Sequence, residues 1–263
     1  MSDRRRRRKE QRTAKREAQR KQEQRRELGR RLLTAFGFGL IVVAIFAAGG
    51  LFGGDDAAVS TSYEQFRDQP TACGAEAPPP VEVMSFDAPE EQSDITASSS
   101  VTATITTSCG DIVLDLSPAD YPETVNSFVF LAREGFYDGQ AFHRIAEDFL
   151  VQGGDPEADG TGGPGYIIED EFPEDEEFTY EEGTVAMANR GSRSTGSQFF
   201  IVIGDNARHL TPLFNVLGEV VSGEDTLVRI AAVRTGVAPG SVEESLPRES
   251  VYIESVSIEV NGT

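Results

Sequence analysis

The 263-residue chain carries a net charge of −20, but the charge is divided between two opposite ends. Residues 1–31 hold 15 of the 24 Lys+Arg and 5 of the 44 Asp+Glu, a net +10, while residues 32–263 hold 9 Arg, no Lys and 39 acids, a net −30. The split points to a tail and a domain in different compartments, and the strongly acidic larger part would repel acidic surfaces.

Residues 1–31 are rich in Arg, Lys, Glu and Gln, all good helix formers. They read as a solvated basic tail facing anionic lipid; no aromatic residues interleave with the bases, which argues against a nucleic-acid-binding arm. Residues 32–52 follow as 21 residues without a charge. At about 1.5 Å per residue that length matches a hydrocarbon core of about 30 Å, so the run reads as a single transmembrane helix. The basic flank places the N-terminus in the cytoplasm and everything after residue 52 outside. A cleaved signal peptide is the alternative, although the run exceeds the usual apolar region of about 7–15 residues. Residues 53–100, with Pro78-Pro79-Pro80 and Ser98-Ser99-Ser100, have the composition of a flexible extracytoplasmic linker, with a short helical turn at Tyr63-Glu64-Gln65-Phe66. The two cysteines, Cys73 and Cys109, both lie beyond the apolar run. In an oxidising compartment such a pair is expected to be bridged, fastening the linker to the domain at a gain of about 3–4 kcal/mol by loop entropy; two free thiols are the alternative.

The domain is expected over residues 101–262. Residues 101–107 and 112–116 alternate and are β-branched, with a hairpin turn at Ser108-Cys109-Gly110-Asp111. Tyr121-Pro122 opens a helix with Val125, Phe128, Val129 and Ala132 on one face, ending at Gly135. Short strand-like runs follow at 141–145, 149–152, 185–188, 199–203 and 214–220. A glycine-rich loop lies at 160–165, a second helix at 224–233 and a closing strand at 251–260. Many short strands with two helices predict a mainly-β barrel capped by helices. The acidic run 169–177 lacks EF-hand spacing and reads as a solvated loop. Gly160-Thr161-Gly162-Gly163-Pro164-Gly165 lacks the Gly-Lys-Ser/Thr ending of a phosphate loop. Ser197 with His143 and Asp155 has no nucleophile-elbow context.

Two strings carry the chemistry. One is Phe142-His143-Arg144-Ile145 followed by Phe149-Leu150-Val151-Gln152-Gly153-Gly154-Asp155; the other is Met187-Ala188-Asn189 followed by Gly196-Ser197-Gln198-Phe199-Phe200-Ile201. Together they resemble the signature segments of the cyclophilins, the cyclosporin-type peptidyl-prolyl cis/trans isomerases, over residues 101–262. The resemblance implies a closed eight-stranded barrel capped by two α-helices. It implies isomerisation of X-Pro bonds with no cofactor and proline-containing polypeptides as substrates. The alternative is a cyclophilin-fold binding module or holdase with weak turnover. Arg144 matches the family's catalytic arginine and Gln152 its substrate-binding glutamine. Asn189 matches the residue whose backbone pairs with the peptide, and Gln198 belongs to the second string. Phe149, Leu150, Phe200 and Leu210 match the apolar floor; Leu150 stands where Met is usual, a volume-conserving change. His143 is expected as a wall of the groove beside Arg144 rather than as a base. His209 or Arg208 falls where many members carry Trp and Phe214 where many carry His, so reduced cyclosporin sensitivity is expected. Nothing in the sequence sets the oligomeric state.

Overall fold

The computed structural model describes residues 62–261 apart from Glu176, Pro239 and Gly240. The basic tail and the 32–52 run lie outside the described residues, among which no helix is long and apolar enough to cross a membrane.

The described chain runs α1 (Ser62–Arg67), β1 (Ser100–Thr107), β2 (Gly110–Leu116), α2 (Pro122–Arg133), β3 (Arg144–Ala146), β4 (Leu150–Gly153), β5 (Thr184–Met187), β6 (Phe199–Val202), β7 (Val216–Ser222), α3 (Glu224–Ala231), β8 (Thr235–Val237), β9 (Glu244–Pro247) and β10 (Ile253–Asn261), with short 3-10 turns at Ala72–Gly74 and Asp205–His209. Eight strands form one antiparallel sheet in the order β10-β1-β2-β7-β5-β6-β4-β3; β8 and β9 form a separate hairpin. The resemblance implies an eight-stranded sheet closed on itself, but the observed ladder has two ends, β3 and β10. The segments leading into those ends meet through the isolated bridge Ala141–Tyr252 and the bonds Phe142 N–H to Val251 O (2.9 Å), Ile253 N–H to Gln140 O (2.8 Å) and Gly139 N–H to Ile253 O (2.7 Å), short of a continuous ladder between β3 and β10. The sheet is a curled one rather than a fully bonded barrel.

The alternation in β1 buries Val101, Ala103 and Ile105 completely. The two expected helices cover the same core, α2 through Val125, Phe128, Val129 and Ala132 and α3 through Leu227 and Ile230. Proline at the start of α2 suits a position whose N–H needs no helical partner. Its other end closes with Phe136 N–H to Leu131 O (2.9 Å) and Gly135 N–H to Ala132 O (3.1 Å), while Gly135 takes φ +70°. That paired pattern needs a left-handed residue, which glycine adopts without strain.

The described part of the expected linker lies against the domain. Tyr63 and Phe66 pack with Ala141 and Tyr252, and Met84, Phe86 and Ile95 pack on the main core. The Phe86 ring meets Phe130 edge-on at 5.0 Å, and Arg133 pairs with Asp94 at 2.7 Å. Ala72 N–H donates to Ser250 O and Ser250 N–H to Pro70 O. Mean composition hid this strap, because its few apolar residues fall in separate small groups, Tyr63 with Phe66, Met84 with Phe86, and Ile95, divided by polar and proline-rich stretches. Cys73 and Cys109 are bridged, so a covalent link joins the strap to the β1–β2 turn.

Candidate active site

The candidate site lies on one face of β3, β4 and β6. Arg144 pairs with Gln152 across β3 and β4, and Gln152 pairs with Phe200 across β4 and β6. Successive residues of a strand point to opposite faces, so each of these short runs serves two bodies. Val151, Val185, Met187, Phe199 and Ile201 enter the main core. Leu150, Ala186, Phe200 and Val202 enter a second apolar cluster with Tyr180, Ala207 and Val216, and Phe149, Leu210 and Phe214 pack at its margin. The four residues expected as the floor, Phe149, Leu150, Phe200 and Leu210, therefore meet in one cluster. Tyr180 and Phe214 set their rings edge-on to Phe200 at 6.1 and 5.4 Å. Phe142 belongs to the main core, against Phe199.

Beside this floor runs a line of polar side chains. Arg144 donates from Nε to Glu243 Oε2 (2.9 Å), from Nη2 to Glu243 Oε1 (2.7 Å) and from Nη1 to Gln152 Oε1 (3.2 Å). Its guanidinium carbon stands 5.4 Å from the centre of the Phe149 ring. Gln152 Nε2 donates to Gln198 Oε1 (3.0 Å), and Gln198 Nε2 donates to Gly162 O (3.0 Å) and, more weakly, to Asp155 Oδ2 (3.4 Å). An amide has a donor end and an acceptor end, so the cation at one end of the line and the acceptors at the other fix which way both glutamines point. Asp155, fully buried, also takes the N–H groups of Glu157 and Gly160 and so organises the glycine-rich loop. A Cβ on Gly162 would stand 2.1 Å from Asp155 Oδ1, which explains a glycine there.

The Asn189 side chain is engaged by protein groups, donating to Leu213 O (2.8 Å) in the segment before β7 and accepting from Gly191 N–H (3.1 Å) in its own loop. His143 is 8% exposed and its Nδ1 has no hydrogen-bond partner among the described residues. Burial pushes its pKa down, with the charge of Asp155 opposing and that of Arg144 reinforcing, so a neutral imidazole is favoured. Ser197 Oγ donates to a backbone carbonyl, Gly154 O (2.7 Å). Arg208 pairs with Glu181 and Asp205, and His209 is exposed at the end of the Asp205–His209 turn.

Three acidic or amide residues escaped the sequence reading. Glu243, in the β8–β9 connection, clamps Arg144. Burial pushes its carboxyl up, but the hydrogen bonds and charge of Arg144, with the Ser245 hydroxyl, hold it below its ordinary value. The clamp is thus ionised at neutral pH and is lost only as the pH falls through that depressed pKa. Glu171, from the run read as a solvated loop, accepts from Glu123 N–H (3.0 Å), Thr124 N–H (2.7 Å) and Thr124 Oγ1 (2.6 Å) at the start of α2. Asn215, fully buried, ties that cap to β7 by accepting Glu171 N–H and donating to Thr124 Oγ1 and Glu169 O. Glu243 and Glu171 sit in polar segments without any periodic pattern, so no local signal marks them.

Residues 102–258 match the family model described as cyclophilin type peptidyl-prolyl cis-trans isomerase/CLD. A probable peptidyl-prolyl cis-trans isomerase B of Mycobacterium tuberculosis is 40% identical over 173 residues, which are 60% of this chain and 54% of that protein. The peptidyl-prolyl cis-trans isomerase B of Streptomyces anulatus is 40% identical over 172 residues, 60% of this chain and 95% of that protein. The chain thus spans about half the length of the mycobacterial relative and nearly all of the streptomycete one. Among solved structures, a cyclophilin type isomerase of Cryptosporidium parvum superposes with a TM-score of 0.54 at 26% identity, covering 61% of this chain and 98% of its own. The same protein, determined in the presence of the dipeptide Ala-Pro, superposes equally well.

Proposed function

This chain belongs to the cyclophilin-type peptidyl-prolyl cis-trans isomerase family, and from that membership we propose that it catalyses rotation about X-Pro bonds in polypeptide substrates. The barrier to that rotation, about 18–20 kcal/mol, comes from amide resonance, whereas the two isomers differ by only about 0.5–1 kcal/mol. Catalysis therefore needs a site that binds the twisted amide better than either planar form, with no nucleophile and no redox step. The observation that carries the reading is Arg144, a fixed cation beside the floor of Phe149, Leu150, Phe200 and Leu210. The prolyl ring would rest on that floor. The Nη donors of Arg144 not engaged by Glu243 or Gln152 would face the prolyl nitrogen and draw its lone pair out of conjugation. Gln152 and the backbone of Asn189 would hold the peptide on either side of the bond.

The test is an isomerisation assay on a Pro-containing tetrapeptide with the full 263-residue chain. Arg144→Ala should lower kcat/KM by about 10²- to 10³-fold with the unfolding midpoint little changed, as expected for a lost electrostatic donor. Equal rates for variant and parent would instead identify a binding module of the same fold.

The clients would be exported proteins, with residues 32–52 as the membrane anchor, the N-terminus cytoplasmic and the domain outside. Two features support this placement. The net +10 of residues 1–31 fits the cytoplasmic side, and the Cys73–Cys109 bridge fits an oxidising compartment. Protease added to intact spheroplasts should then digest the domain; protection until the membrane is lysed would overturn the topology.

A further inference from the structure

We propose that Glu243 is a positioning residue for the isomerase site, holding the Arg144 guanidinium in the one orientation from which it can act on the prolyl nitrogen. The inference rests on the reading of Arg144 as the donor.

The contact is a two-point one, through Nε and Nη2 to both carboxylate oxygens, made between residues 99 apart in sequence. Such a fork fixes a plane as well as a distance. The side chains of Arg144 and Glu243 are only 15% and 30% exposed, so solvent screens the pair weakly. Glu243 is itself held. Ser245 Oγ donates to Glu243 Oε2 (2.8 Å), and Glu243 N–H donates to Ser241 Oγ (2.9 Å). The guanidinium is thus bounded on three sides: Glu243 along one edge, Gln152 at Nη1, and the Phe149 ring nearby. What is left to a peptide is the remaining N–H of Nη1 and of Nη2.

Without the carboxylate, Arg144 would keep its charge but recover its rotamers, and Gln152 would hold it through a single 3.2 Å bond. A donor spread over several orientations meets the twisted amide less often, which acts on turnover more than on substrate binding. The β8–β9 hairpin, which is not part of the eight-stranded sheet, therefore contributes to the reaction through this one side chain.

The experiment measures kcat and KM separately for the full 263-residue chain and for Glu243→Gln, Glu243→Ala, Glu243→Asp and Arg144→Ala. Folding is checked by circular dichroism, and the Arg144 Nε–H resonance is followed by NMR. Glu243→Gln and Glu243→Ala should lower kcat on the order of tenfold to a hundredfold, with KM within about twofold and the Arg144 Nε–H signal lost to exchange. Glu243→Asp, which keeps the charge on a shorter arm, should recover part of the rate. If Glu243→Ala fails to fold, the near-isosteric Glu243→Gln decides alone. A folded Glu243→Gln with the parent kcat, beside an inactive Arg144→Ala, overturns the positioning role and leaves the proposed activity standing. Parent rates in Arg144→Ala overturn both.

Discussion

Phe200 and Ile201 are neighbours in β6, both buried to within 2% of full cover, yet they serve different bodies: Phe200 the floor of the groove, Ile201 the main core. Substitution of the two should therefore be read out differently. Ile201→Ala should cost about 2–5 kcal/mol of stability and leave the isomerisation rate per folded molecule unchanged. Phe200→Ala should cost about 3–5 kcal/mol and also lose rate, because under the proposed function the prolyl ring would lose its support. Urea titration with parallel rate measurements checks both, and an equal loss of rate in the two would show that the faces are not separate. At this scale the sequence was informative where residues came in strings. Arg144, Gln152, Gln198 and Phe200 lie within two short runs that the strands carry into one row. Glu243 could not be found that way. It is an acid among polar residues, and its meaning comes only from a partner 99 positions away.

The elements read from alternation and from proline and glycine punctuation fall within a few residues of their observed bounds, as α2 and the β1–β2 hairpin show. The β8–β9 hairpin went unread for a physical reason. Thr235–Val237 and Glu244–Pro247 are too short to alternate, and each contains a strand-weakening glycine or proline. In the acidic loop, Glu169, Glu174, Asp175 and Glu177 are exposed as expected, but one member, Glu171, turns inward to the start of α2. A carboxylate there satisfies free N–H groups and complements the helix dipole. Glu171→Ala should lower the unfolding free energy by about 1–2 kcal/mol, measured by denaturant titration. A midpoint equal to the parent's would mean that water replaces the cap without loss.

For the molecule, the described chain is a curled sheet, two covering helices and a strap bound to them. The strap shows the limit of reading by average composition. Residues 62–100 look like a linker because hydrophobicity is counted along the chain, whereas Tyr63, Phe66, Met84, Phe86 and Ile95 are covered by the surface of the domain rather than by a core of the strap's own. The disulfide was legible in the cysteine count, since the chain has two cysteines and the expectation of an oxidising compartment pairs them. Its place in the chain fixes how force is routed. Tension arriving along the backbone from the N-terminal side reaches Cys73 and crosses the sulfur bridge to Cys109 at the β1–β2 turn. The strap after Cys73 and the whole of β1 lie in the bypassed loop and bear none of that load. The bridge acts as a mechanical shunt, so a pull that has passed α1 and reached Cys73 would be felt at one end of a hairpin rather than peel residues 74–99 and β1 from the sheet.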